Sequence, residues 1–224
     1  NSTNIITNES HDDKDATKYD LAINTEGGTM VTWLFQEEGE DTLDESTVRY
    51  KYYDSKTSDW IDDDSELLSS SGIIITATPH VATDDYYFYV TYIESDHLYV
   101  KRFDPDTETW ESALQLDTIT DTTETQVVSS EIAVNADGYV FVTWTQVSSE
   151  VPRQDGVFVI QYNKNIEWNN SAWKNYTTFP NTTSTSEFDI TIAESKIEFN
   201  RNQNGFIIWL QQGDSDLYNL WASR

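Results

Sequence analysis

Ile132-Ala133-Val134-Asn135-Ala136-Asp137-Gly138, followed by Val140-Phe141-Val142-Thr143-Trp144, decides the fold. Apolar residues alternate, then Asn, Asp and Gly intervene, then a second apolar run ends in Trp. Asn, Asp and Gly tolerate positive φ, so this is the pattern of a β-hairpin. The same pattern occurs at Leu21-Ala22-Ile23-Asn24-Thr25-Glu26-Gly27-Gly28 with Met30-Val31-Thr32-Trp33. It occurs again at Ile197-Glu198-Phe199-Asn200 with Phe206-Ile207-Ile208-Trp209. A further copy, Val81-Ala82-Thr83-Asp84-Asp85-Tyr86 with Tyr89-Val90-Thr91-Tyr92, has Tyr for Trp and no turn Gly, so its turn is expected to be less regular. The anchors 33, 92, 144 and 209 lie 59, 52 and 65 residues apart. That is longer than the ~40–50 residues of common propeller blades.

Each anchor strand leads into a third strand, a polar turn and a Trp: Val48–Asp54 to Trp60, Leu98–Asp104 to Trp110, and Val157–Asn163 to Trp168. Leu217–Arg224 begins the same strand in the last copy. A short fourth strand fits after each Trp, as at Ala113–Asp117. The expected fold class is therefore all-β: a β-propeller of four-stranded antiparallel blades, about four repeats with the last one incomplete. The repeats run approximately 19–71, 72–125, 126–186 and 187–224, after a polar N-terminal tail, 1–18. A β-sandwich also shows many short strands, but it does not require one three-strand pattern to recur with Trp at equivalent places. Three completions of the last blade fit: a closing strand from residues 3–7, a longer native chain, or strand addition from another copy at an open edge.

The 224 residues carry 13 Lys and Arg against 40 Asp and Glu, a net charge of −27. Such a chain repels nucleic acid. With no Cys it has neither disulfides nor thiolate metal sites, and no apolar run approaches a membrane span, so no membrane insertion is expected. An aromatic content of 13% is too high for a disordered acidic chain. Sequons occur at Asn1, Asn8, Asn169, Asn175 and Asn181, clustered in two polar stretches, and suit glycosylated loops on an extracellular or cell-surface protein.

Pro79-His80-Val81-Ala82, the Val-x-Trp strands, the Tyr/Phe-Asp turns before Trp, and Leu220-Trp221-Ala222-Ser223-Arg224 resemble the sialidase-like, Asp-box-related propeller repeats of prokaryotic secreted or cell-surface proteins. The resemblance covers about residues 19–224 and implies the fold rather than a substrate. The full Asp box, Ser-x-Asp-x-Gly-x-x-Trp, is absent. Tyr53–Trp60 and its equivalents stand in its place.

Sialidase chemistry needs an arginine cluster, and the five Arg (Arg49, Arg102, Arg153, Arg201, Arg224) form no evident triad. Paired carboxylates could serve a glycosidase, but 40 acids make chance pairs unavoidable. The three His are too scattered for a zinc site. Oxygen ligands concentrate at Asp104, Asp106 and Glu108, with Asp62-Asp63-Asp64 and Asp214-Ser215-Asp216 as further candidates, so calcium is the one cofactor considered. Trp60, Trp110 and Trp168 recur at equivalent places and either cap each blade or stack on sugar rings. Trp173 and Trp221 do not recur and are candidates for exposed contacts. The function expected from these residues is a non-catalytic extracellular recognition or structural module, not an enzyme. Its partners would be an extracellular glycan or protein, or other copies of itself. A sialidase-like glycoside hydrolase is the alternative.

Overall fold

The structure, a computed structural model, describes residues 14–37, 45–69, 77–119, 125–135, 137–148, 155–179, 191–199, 204–212 and 218–224. These form four antiparallel sheets, each a meander hydrogen-bonded in chain order. The first sheet holds β1 (Lys14–Ile23), β2 (Thr29–Glu37), β3 (Glu45–Asp54) and β4 (Asp59–Leu67). The second holds β5 (His80–Thr83), β6 (Phe88–Glu94) and β7 (His97–Asp104), with β8 (Thr109–Trp110) and β9 (Leu114–Gln115) both paired to β7. The third holds β10 (Thr125–Val134), β11 (Val140–Ser148), β12 (Gly156–Tyr162) and β13 (Trp173–Phe179). The fourth holds β14 (Thr191–Phe199), β15 (Gly205–Gln212) and β16 (Tyr218–Ser223). The segment 3–7 lies outside the described residues.

The hairpin turns form because one side chain replaces a strand partner. Asn135 Oδ1 accepts from the backbone N–H groups of Asp137 and Tyr139, at 3.1 and 3.0 Å. Asn24 Oδ1 accepts from Gly28 N at 2.7 Å. Gly27 and Gly138 supply the left-handed backbone, φ 86° and 76°. The second sheet keeps this frame without glycine. Asp84 Oδ1 takes the N–H groups of Tyr86 and Tyr87, and Asp85 itself adopts φ 73°. Asp tolerates that region better than most residues, so the turn closes without glycine, but one residue shorter: Asp84 N donates to Tyr87 O, where Asn24 N and Asn135 N donate to Gly28 O and Tyr139 O.

The sheets pack face to face in sequence. Met30, Leu34, Val48 and Tyr52 of the first sheet meet Phe88, Val90 and Phe103 of the second. Tyr89, Leu98 and Val100 leave the other face of the second sheet and meet Val140, Val142 and Trp144 of the third. Phe141 and Val159 meet Ile197 of the fourth, and Val157 meets Ile192 and Trp209. The anchors Trp33, Tyr92, Trp144 and Trp209 are all buried. The first strands also pack in succession, β1 on β5, β5 on β10 and β10 on β14. One residue position per first strand is thereby brought to a shared interior.

Candidate active site

Four residues occupy one equivalent position in the four first strands. Asp20 pairs in register with Thr32, His80 with Thr91, Glu131 with Thr143, and Lys196 with Ile208. Each partner sits one residue before an anchor aromatic. Because the first strands are neighbours, the four side chains converge. His80 Nδ1 lies 3.3 Å from Asp20 Oδ2, and His80 Nε2 lies 3.7 Å from Glu131 Oε2. Lys196 Nζ donates to the same Glu131 oxygen at 2.8 Å. The result is a chain of contacts, Asp20–His80–Glu131–Lys196, in which every link joins two sheets.

Bulges precede three of these four side chains, His80 being the exception. The register of β1 slips between Thr17 and Tyr19, that of β10 between Val127 and Ser129, and that of β14 between Ile192 and Ser195. Each slip lies just before the converging residue, where an extra residue bends the strand and redirects side chains. Lys18, within the first bulge, takes φ 47°.

His80, Glu131 and Lys196 line an open cleft of about 350 Å³, together with Lys18, Ser130 and Ser195, and Asp20 adjoins it through its contact with His80. That volume is at the small end of ligand pockets. Ser130 is 4% exposed and its Oγ has no hydrogen-bond partner in the protein. A buried hydroxyl without a partner costs about 1–3 kcal/mol, which a ligand in the cleft can offset. Ser195 Oγ lies 3.3 Å from Thr143 Oγ1.

Burial raises the Asp20 pKa. The hydrogen bond from His80, the backbone N–H groups of Val81 and Leu21 and the charge of His80 outweigh it, so Asp20 is held below its ordinary 3.8. Val81 N reaches Asp20 Oδ2 at 3.0 Å, a bond that also ties the first sheet to the second. Asp20 is therefore an ionised acceptor at neutral pH.

None of these four residues stands out by motif. Their signal is positional: each immediately precedes an apolar hairpin segment that opens at Leu21, Val81, Ile132 or Ile197. Aligning the repeats one residue further back puts Asp, His, Glu and Lys in one column.

The residues singled out from the sequence have other placements. Trp168 and Trp173 are 8% and 7% exposed and pack on Tyr162 inside the third sheet, so neither offers an open face to a sugar. Trp168 Nε1 donates to Ser112 O. Trp60 and Trp110 are half-buried, Trp60 edge-on to Tyr53 and Trp110 edge-on to Tyr50. Trp221 is exposed and stacks on Trp209. Asp104 Oδ1 caps its own turn through Asp106 N and Thr107 N, as Asp54 does through Lys56 N and Thr57 N.

Asp106 joins two sheets, accepting from Lys56 Nζ at 3.0 Å and Tyr86 Oη at 2.9 Å. The hydrogen bond to Asp106 pushes the Tyr86 phenol up to about 12. Glu108 is exposed at φ 55°. Among the described residues no three acidic or His side chains are arranged to hold a metal ion. The side chains of Asp62-Asp63-Asp64 lie outside the described residues, as do Asp214, Ser215, Asn1, Asn8, Asn181 and the side chain of Asn175. Asn169 uses its Oδ1 to cap a short 3₁₀ turn, Asn170–Ala172.

No protein-family model matches the sequence, and no curated protein matches it. Solved structures do match. A protein of unknown function from Dyadobacter fermentans aligns over 95% of this chain and 66% of its own length, with TM-score 0.65 and 10% identity. An α-L-arabinanase of Penicillium chrysogenum, complexed with arabinobiose, aligns over 92% of this chain and 61% of its own, with TM-score 0.54 and 11% identity. A family 117 glycoside hydrolase of the marine bacterium Zobellia galactanivorans aligns over 98% of this chain and 69% of its own, with TM-score 0.53 and 10% identity. The chain thus spans about two thirds of their length. At such identity the likeness is one of fold.

The expectation of a non-catalytic module, not an enzyme, is corrected by these findings. The chain has a propeller-type fold that glycoside hydrolases use. The Asp20–His80–Glu131 convergence supplies a constellation of side chains that no local motif displays.

Proposed function

We propose that this chain is the substrate-binding part of a glycoside hydrolase-like enzyme, with its site at the Asp20–His80–Glu131–Lys196 cleft. The single observation that carries the reading is the meeting of two carboxylates, one on each edge of the His80 imidazole, beside an open cleft that His80 and Glu131 line. Carboxylates so placed are separated by the ring width plus two contacts. That is of the order that glycosidase pairs keep, about 5–9.5 Å. Asp20, held ionised, takes the proton of the attacking water, the inverting arrangement that so wide a separation suits. Glu131 gives its proton to the leaving oxygen. A protonated Glu131 gives up its ion pair with Lys196, so the acid role goes with release of Lys196 from Glu131.

Each sheet is read as one blade, four in this chain, with three strands of the fourth among the described residues, and the first strands line the central channel. The Asp54 and Asp104 turns are the part that carries the kinship to Asp-box-related repeats. The acidic surface and the sequons support an extracellular setting. A sialidase specificity is disfavoured because Arg49, Arg102 and Arg224 are spent elsewhere, on Phe35, on Glu111 and Tyr162, and on Asn204.

Release of reducing ends from a panel of aryl glycosides and polysaccharides tests the proposal. Turnover is expected, with Asp20→Asn and Glu131→Gln each lowering it by about 10²–10⁴-fold in proteins that remain folded at the assay temperature. No turnover across the panel, or full activity in both variants, would overturn it.

A further inference from the structure

We propose that the cleft selects an anionic glycan, an oligosaccharide bearing carboxylate or sulfate groups, and that Lys18 and Lys196 are the residues that read the charge. The inference rests on the site reading above and names its substrate class. Its ground is the distribution of charge. The whole chain has 13 Lys and Arg, three His and 40 acids. Among the described residues the cleft lining takes two of those Lys and one of those His against one acid, Glu131. Composition alone would place more acids than bases on any such surface. The lining reverses the sign of the protein around it.

Three further observations point the same way. Lys18 is delivered to the cleft by a bulge and a left-handed backbone that a lysine adopts only at a cost. Lys196 is about half exposed although ion-paired to Glu131, so its ammonium can turn to an entering anion. Ser130, buried and without a partner at its Oγ, lines the same cleft and can donate to a carboxylate or sulfate oxygen. An anion that draws Lys196 off Glu131 also releases the carboxylate assigned as acid. Binding of a charged substrate and readiness of the acid are then one event.

The surrounding −27 sets the kind of anion. Charges more than about 8 Å away are screened at physiological salt. A short oligosaccharide with spaced charges therefore meets the local lysines, whereas a dense polyanion meets the repulsive exterior.

Calorimetric titration of the full chain at ~0.15 M salt with tri-galacturonate, a sulfated galactose trisaccharide and neutral galactotriose tests this. At least tenfold tighter binding of one charged probe than of the neutral one is expected, and the probe preferred identifies carboxylate or sulfate. Lys18→Gln should abolish the preference, and Lys18→Arg should restore it. Near-equal affinity for charged and neutral probes, no binding of any, or a preference untouched by Lys18→Gln in a protein with unchanged melting would overturn the inference. Charge preference without turnover leaves the inference standing and defeats the hydrolase reading. Turnover of neutral glycosides without charge preference does the reverse.

Discussion

The second and fourth sheets have the same local pattern and very different surroundings. In β6 every residue from Phe88 to Ile93 is buried, because sheets pack on both of its faces. In β15 only Trp209 is buried, while Phe206, Ile208 and, on the neighbouring strand, Leu220 are 48%, 38% and 68% exposed. Tyr89-Val90-Thr91-Tyr92 and Phe206-Ile207-Ile208-Trp209 are nearly interchangeable as sequence. What separates them is whether, among the described residues, a sheet packs on each side. Burial in a stacked-sheet protein belongs to the stack as much as to the strand.

This comparison can be broken or sharpened by substitution. Phe88→Ala, in the doubly covered sheet, should cost about 3–5 kcal/mol, read as a loss of unfolding free energy in urea. Ile197→Ala, on the singly covered sheet, should fall near the lower end of the range for such truncations, about 2 kcal/mol. If the two losses are equal, the fourth sheet is as firmly held as the second, and the comparison fails. Gly138→Ala should cost about 1–2 kcal/mol, because its φ of 76° strains any side chain. Asp20→Asn should alter the acid limb of stability. The folded Asp20 pKa is depressed, so its contribution is present above the ordinary 3.8 and is lost as pH falls through the depressed folded value. Melting curves between pH 2 and pH 6 should show less acid destabilisation in the variant. An unchanged acid limb would mean that the Asp20 junction of the first two sheets adds nothing. Leu220→Ser should be the mildest, within about 0.5 kcal/mol. A larger loss would show that the exposed face of the fourth sheet is covered in solution.

The sheet pattern was legible because it is local. Period-two alternation and Asn/Gly turns place β10 and β11 from residues 132–144 alone, and all four anchors fall on second strands. The second-sheet turn differs from the others, as its missing Gly implies, and the tolerance of Asp85 for positive φ lets it close. The aromatic candidates divided by what packs on them. Trp173 and Trp221 look alike in sequence, but one packs under Tyr162 and the other lies on an open sheet. The site itself was hidden because its members are 60, 51 and 65 residues apart and chemically unlike. A search for conventional motifs looks for like residues at short spacing. Convergence here is produced by stacking of first strands, which no single repeat encodes.

A duplicated backbone position that delivers side chains to one cleft has an evolutionary consequence. The same residue in all four copies would make the four contributions to the cleft equivalent. Divergence to Asp, His, Glu and Lys needs only point changes at a site outside the apolar cores, so each can be accepted without repacking a sheet. The stack can thus be conserved as a chassis while four independently variable letters rewrite what the cleft recognises.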